Sequence, residues 1–416
     1  MKLTIHLEKP GCGDGMYEIR ARGYLAAELF WSNEKGILEE YTAFACILLG
    51  SDGEGVFRFQ GGRGIPPEAS SVTARAVDGS LKKWEEASAI IPTDFRSPLQ
   101  DAEQKICVMS DLHLSRRAGR LKWVFSQGKK ADLVLLLGDL VNDGLPEQFQ
   151  QFSRCLEEAL PDVPVLAVPG NHDFPRNPLP LAGEKRGDFR GVFQQMAERA
   201  ENLGIQLKAD PRGGFCARAG RTQVIGLYGA SNWRKLRLEK DGQLAFLEEE
   251  LREKQREEPE EKLEEKPEEK PFLRLILCHA PLLDHNPQRR KGQSQPYLGG
   301  DRALQKMLDS QENFLYLSGH THLSPNLYQG SVEILPGNRI YANVGSTCPC
   351  EMKGEEPLTL KEWREPVMTE LILGRKTASI ISRSLVTGKA FPRGYYRFSL
   401  FHEGCSGTFN GQKEGL

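Results

Sequence analysis

Five short apolar runs constrain this chain more than anything else in it. They are KICVMSDLHL (105–114), ADLVLLLGDL (131–140), VPVLAVPGNHD (163–173), LRLILCHAP (273–281) and NFLYLSGHTH (313–322). Near-continuous apolar runs of this length are how strands buried on both faces read, because neither face may be polar. Amphipathic segments such as EQFQQFSRCLEEAL (147–160) and FQQMAERAENLG (193–204) lie between them. Buried strands alternating with such segments predict an α/β domain.

Each run ends in side chains able to hold a metal: Asp111 and His113; Asp139 after Gly138; Asn171 and His172 after Gly170; His279; and His320 and His322 after Gly319. In open α/β sheets the carboxyl ends of the strands converge on the ligand site. Five of the eight histidines sit at these ends, a clustering that chance would not give. Two carboxylates, an amide and several imidazoles without a thiolate suit Mn, Fe or Zn rather than a structural thiolate zinc site. Strand alternation should turn Cys278 away from the face that His279 uses. Seven ligands exceed one coordination shell, whereas two metals sharing a carboxylate use them all. Taken singly, His113 or His279 reads equally well as a satisfied core histidine.

The ordered set Asp-x-His, Gly-Asp, Gly-Asn-His-Asp, His, Gly-His-x-His resembles the calcineurin-like metallophosphoesterase superfamily over roughly residues 105–385, and QLAFLEEEL and ANVGS are similar to stretches common there. The resemblance implies a four-layer αββα sandwich with two divalent ions. Asp111, His113, Asp139 and His322 would bind one; Asp139, Asn171, His279 and His320 would bind the other, with Asp139 as the bridge. It further implies hydrolysis of phosphate esters by a metal-bridging hydroxide attacking phosphorus in line, with His172 facing the leaving group. GDLVNDG and GNHDF resemble the cyclic-nucleotide phosphodiesterase branch, a lean toward diesters over monoesters. Phosphoprotein phosphatases carry an Asp at the place of Asn142, paired with the histidine matching His172; the resemblance then implies either a less basic His172 here or a substitute in Asp143 or Asp173. Purple acid phosphatases also join a β-sandwich to this fold, but they would need Gly at His113 and Tyr at Asn142. A non-catalytic interaction platform is the competing reading, and loss of a ligand would favour it. A nuclease ranks lower, because the net charge is −2 and no capping domain is visible after the last motif, so nucleic acid is not an expected partner.

Residues 1–98 contain the stretches YLAAELFW, YTAFACILL, VFRFQ and SVTARAV, separated by turn residues. They predict a small all-β sandwich preceding the α/β domain, faintly similar to fibronectin-type-III-like modules, and a surface for a protein partner. The connector IIPTDFRSPLQDAEQ ends it. The catalytic domain is expected over 99–390, with a charged low-complexity insertion at 248–271, whose first part extends the helix begun by QLAFLEEEL, and an unassigned tail at 391–416. Nine scattered cysteines, with Cys348 and Cys350 the only close pair, predict free thiols and a cytoplasmic protein. The N-terminus lacks a signal-peptide core, and no apolar run approaches a membrane span. His285 and Arg289–Lys291 read as a solvated loop.

Overall fold

The computed structural model describes residues 3–8, 18–22, 26–38, 43–48, 54–58, 69–77, 84–90, 102–114, 118–174, 189–232, 235–238, 242–256, 273–289, 293–325, 327, 330–348, 365–374 and 377–400. Eight strands come first among them: β1 (Thr4–Glu8), β2 (Glu18–Arg22), β3 (Ala26–Asn33), β4 (Gly36–Ile37), β5 (Ala45–Leu48), β6 (Glu54–Arg58), β7 (Ser71–Val77) and β8 (Trp84–Ile90). They form two antiparallel sheets, β1-β2-β6 and β4-β3-β7-β8 with β5 beside β3. Ile5 and Ile19 of the first sheet share one core with Leu29, Trp31, Val72 and Ala74 of the second, which makes the pair a sandwich. Trp31 stacks on Phe44 with ring centroids 3.9 Å apart.

The remaining elements are β9 (Ala102–Met109), α1 (Ala118–Ser126), β10 (Leu133–Leu137), α2 (Pro146–Ala159), β11 (Val165–Val168), α3 (Phe189–Asn202), β12 (Gln206–Ala209), β13 (Phe215–Ala219), β14 (Thr222–Gly226), β15 (Ala230–Asn232), β16 (Lys235–Arg237), α4 (Gln243–Arg256), β17 (Leu273–Leu277), β18 (Leu298–Gly299), α5 (Asp301–Asp309), β19 (Phe314–Ser318), β20 (Val332–Leu335), β21 (Arg339–Asn343), β22 (Val367–Gly374), β23 (Thr377–Ser384) and β24 (Ala390–Ser399). Two mixed sheets result, ordered β11-β10-β9-β22-β23-β24 and β12-β13-β14-β17-β19-β21-β20. Alternation along the strands builds the layers. Ile106, Val108, Leu135 and Leu166 face Leu275, Leu315 and Ile340 between the sheets. Cys107, Met109, Val134 and Leu136 turn outward onto α1 and α2 through Phe125, Phe152 and Leu156. Ile276, Cys278 and Tyr316 turn outward onto α4 and α5 through Leu247 and Leu304. This is the four-layer αββα sandwich.

Helix α2 shows why these segments are helical. Pro146 opens it with a φ suited to the first turn. The Gln148 side chain accepts the Asp143 N–H at 3.0 Å, and Phe149, Phe152, Leu156 and Ala159 repeat at helical spacing onto the sheet.

Two boundaries differ from the sequence reading. The sheet continues through β24, so residues 391–399 belong to it rather than to a tail; Pro392 is tolerated because β24 is an edge strand. Residues 248–256 are the end of α4, with Leu251 buried in its core, as expected for the first part of the charged stretch; only the bound of the insertion at 248 starts too early. The EEK repeats and residues 401–416 lie outside the described residues. His285 is also not in solvent: its ring stacks on Tyr341 at 4.1 Å and its Nδ1 lies 2.9 Å from Glu333 Oε2. Among the described residues, no helix is long and apolar enough to cross a membrane.

Candidate metal centre

Strands β9, β10 and β11 run parallel to one another, as do β17 and β19, so within each sheet the chain exits at one edge. The loops then bond to each other beyond the strands. Asp111 N–H donates to Gly138 O at 3.1 Å and His113 N–H to Asp139 O at 2.9 Å. In the second sheet, Cys278 N–H donates to Leu317 O at 3.1 Å and Gly319 N–H to His279 O at 2.9 Å. These bonds carry the register into the site, and residues more than a hundred positions apart meet there.

Two groups of ligand atoms gather, each with all atoms within 4.8 Å of one another: Asp111, His113, Asp139 and His322, and Asp139, His279 and His320. Asp139 belongs to both. Its Oδ2 lies 3.6 Å from His113 Nε2 and 3.2 Å from His279 Nε2. Its Oδ1 accepts the His172 N–H at 2.7 Å, which brings the Asn171–Asp173 turn against the carboxylate. His322 Nε2 is 3.1 Å from Asp111 Oδ1 and 3.0 Å from His113 Nε2; His320 Nδ1 is 3.1 Å from His279 Nε2. Two ring nitrogens bound to one ion at about 2.0–2.1 Å would stand roughly 3 Å apart, so the imidazole pairs have the spacing of chelating ligands. Cys278 faces away from the group, into the α4–α5 layer.

The backbone points to the same conclusion. Seven non-glycine residues among those described have positive φ, and five of them are Asp111 (54°), His113 (45°), Asp139 (51°), His320 (69°) and His322 (56°). The other two, Asn313 and Asn338, are of a type that tolerates this region. Left-handed backbone at Asp and His costs on the order of 1–3 kcal/mol each and persists where the surroundings enforce it, typically at functional sites. Glycines make the close approach feasible. A Cβ on Gly170 would come within 2.2 Å of Asp139 Oδ1, and one on Gly319 within 1.8 Å of Ser110 Oγ. The donor set, its spacing and this strain fit a pair of divalent ions.

The electrostatics split the group. Burial pushes Asp111 up, but His322 and His279 outweigh it and hold the carboxyl at about 2. The same contest at Asp139, won by His279 and His113, leaves it well below the carboxylate range. Burial lowers His279, but Asp139 and Asp111 overcome it and raise the ring to about 9. Burial wins at His113 and His320, which fall to about 4. His279 Nδ1 faces Leu137 O at 2.6 Å; a carbonyl only accepts, so Nδ1 carries the proton and Nε2 faces Asp139.

His172 stays out of both ligand groups, its ring edge-on to His113 with centroids 4.7 Å apart. Its Nδ1 donates to the backbone carbonyl of Asn142 at 2.8 Å. Asp173 does different work. Its carboxylate accepts N–H bonds from Leu140 (2.8 Å), Val141 (3.1 Å) and Gly170 (2.8 Å), tying the loops of Asp139 and Asn171 together. These donors favour its charged form, but burial and the nearby Asp139 outweigh them and raise it to about 7. The Asp143 carboxylate accepts from Asn142 Nδ2 and Gln148 Nε2, each at 3.0 Å.

Three contributors escaped the sequence reading. Tyr297 stands edge-on to His320 with centroids 4.9 Å apart. Asn343 Nδ2 donates to Gly319 O at 2.7 Å and steadies the last histidine loop; its place in ANVGS was a usable signal. Arg120 donates to Leu112 O at 3.1 Å and to Thr347 O, and no motif marks it.

No curated protein matches the chain. Among solved structures, the purple acid phosphatase PPD1 of yellow lupin (Lupinus luteus) aligns at 14% identity over 95% of this chain and 74% of that one, with a TM-score of 0.44. A dimetal phosphatase from Danio rerio aligns at 11% identity over 70% of this chain and 99% of that one, with a TM-score of 0.43. GAP50, the anchor in the inner membrane complex of Plasmodium, aligns at 12% identity over 72% and 88%, with a TM-score of 0.41. The calcineurin-like phosphoesterase profile matches residues 104–324, more than half of the 416 residues. With that match over the strands and loops that build the ligand groups, the chain belongs to the calcineurin-like phosphoesterase family and is a hydrolase acting on phosphate esters.

Proposed function

We propose that the chain hydrolyses phosphodiesters, with cyclic nucleotides as one example, using two divalent ions of the Mn, Fe or Zn type. One ion is held by Asp111, His113, Asp139 and His322, the other by Asp139, Asn171, His279 and His320. The observation that carries this reading is the position of Asp139 Oδ2, 3.6 Å from a histidine of one set and 3.2 Å from a histidine of the other. When bound, such ions supply Lewis-acid charge for the phosphoryl oxygens and lower the pKa of water.

The chain's own groups do the rest. Two carboxylates under two divalent ions leave a positive site that attracts a phosphate ester. The Asn142 carbonyl holds His172 by Nδ1, so the protonated ring presents Nε2 to a leaving oxygen. The diester preference draws its support from the GDLVNDG and GNHDF stretches. Monoester hydrolysis on the same residues is the alternative. Residues 1–98 flank the cleft or recruit a protein partner. The free thiols at Cys107, Cys155, Cys216, Cys278 and Cys348 support a cytoplasmic setting.

Metal-stripped protein given Mn²⁺, Zn²⁺ or Fe²⁺ in turn should hydrolyse bis-p-nitrophenyl phosphate faster than the mono ester. A preference for the mono ester under every metal would sink the diester assignment. Turnover unaffected by stripping would sink the metal assignment.

A further inference from the structure

We propose that Arg120 is a positioning residue for the first ligand set. The inference rests on the metal reading above and says how that set keeps its shape. Asp111 and His113 both have left-handed backbone, with only the buried Leu112 between them. Such a tripeptide must be held on both sides, or it relaxes and swings two ligands out of line. On one side its amides bond to Gly138 O and Asp139 O. On the other side, three consecutive carbonyls find donors. Ser110 O accepts from Thr347 N–H at 3.0 Å. Asp111 O accepts from Thr347 Oγ1 at 3.3 Å and Ser346 Oγ at 3.4 Å. Leu112 O accepts from Arg120 Nη1 at 3.1 Å, and Arg120 Nη2 donates to Thr347 O.

Arg120 therefore ties the ligand loop to the very segment that holds the loop's other carbonyls. A planar guanidinium does this with one rigid group, because its two terminal nitrogens reach two carbonyls at once; an ammonium is a point donor on a flexible stem. Arg120 bonds to the main-chain carbonyls of Leu112 and Thr347 rather than to a ligand atom, so its action on an ion is indirect. Partners of this kind typically tune metal affinity by about 10–100-fold. The second set has a different support: His279, just past β17 in one sheet, is fixed by Leu137 O of β10 in the other.

The test uses full-length, metal-stripped protein titrated with Mn²⁺ by calorimetry. Arg120→Lys keeps the charge and loses the fork. One of the two Mn²⁺ sites should weaken by about 10–100-fold while the other stays within about twofold. In a His113→Ala protein, which already lacks the first set, Arg120→Lys should add no more than about twofold. Wild-type affinity at both sites in Arg120→Lys, or equal weakening of both, overturns the proposal. So does a full effect in the His113→Ala background. Should Arg120→Lys not fold, Thr347→Val removes one donor to Asp111 O and must weaken the same single site; unchanged binding in that variant overturns the proposal. A wild-type protein that takes up no Mn²⁺ would instead remove the metal reading itself.

Discussion

The two ligand sets are made in different ways. Both sit on loops beyond the strands, but the second has a buried anchor: His279 lies two residues past β17, its side chain has no exposed surface, and Leu137 O at the end of β10 fixes its Nδ1. The first lacks such an anchor among its histidines. His113 and His322 keep 10% and 20% of their side-chain surface, and the backbone under Asp111 and His113 is strained and clamped from outside the strands. One charge sets His279 apart: it holds its proton up to about 9, whereas His113 of the first set and His320 of the second lose theirs near 4. A buried histidine between two carboxylates stabilises itself without an ion. Where burial outweighs the carboxylates, as at His113, the ring stays neutral and its geometry must come from elsewhere.

Removing the shared member should abolish the contrast. Asp139→Asn takes one carboxylate from both sets, so elemental analysis should show metal content falling from two toward none, with affinity down by more than about 100-fold and turnover lost. Two tightly held ions in that variant would contradict the sharing.

His172→Ala should separate chemistry from binding. His172 flanks the open set without joining it, so both ions should stay while hydrolysis of alkyl esters falls by about 10²–10⁴-fold. Nitrophenyl esters leave without a proton and should lose much less. Equal losses would reduce the ring to charge stabilisation, and a lost ion would make it a ligand.

Proton competition should distinguish the sets in a single titration. In the metal-free protein His279 lies above its ordinary 6.5, so its proton supports the fold fully below that value, and this support disappears as pH rises through about 9. An ion on the second set must displace that proton, so its apparent affinity should climb by about tenfold per pH unit toward pH 9. Asp111 at about 2 and His113 at about 4 are proton-free above pH 6, so these two ligands add no such slope. Calorimetric titrations between pH 6 and 9 with two parallel slopes would erase the distinction.

The smallest expected effect is none at all. Residues 1–98 supply no member of either set, and the sandwich has its own core, so a chain beginning near Arg96 should hold the same two ions. A folded but metal-free product would mean that the domain boundary or the ligand set is misassigned.

Which parts were legible follows from range. Strand ends and their ligands were readable because a run such as LVLLL admits one environment and its polar ending can only emerge at the edge. The bonds of Asp173 to Leu140 and Val141 had no local signal, because both donors are main-chain amides of another loop. His285 was misread because its stacking partner Tyr341 arrives from β21, 56 positions later, and nothing local announces it. β24 was missed because Pro392 and Gly394 look like loop, a signal that fails on an edge strand. Arg120 was illegible for a further reason: its partners are main-chain carbonyls, which leave no trace in side-chain pattern.

The left-handed residues also bear on attempts to make the protein hardier. Glycine adopts such backbone without steric strain, so a screen that rewards survival of heat alone should favour glycine at 113, 320 and 322, where no buried carboxylate is lost. Its winners would be tougher proteins with the ligands deleted. Any programme of stabilisation therefore has to hold these three codons fixed, with the two aspartate codons beside them, and seek its gains in the helices and the β-sandwich.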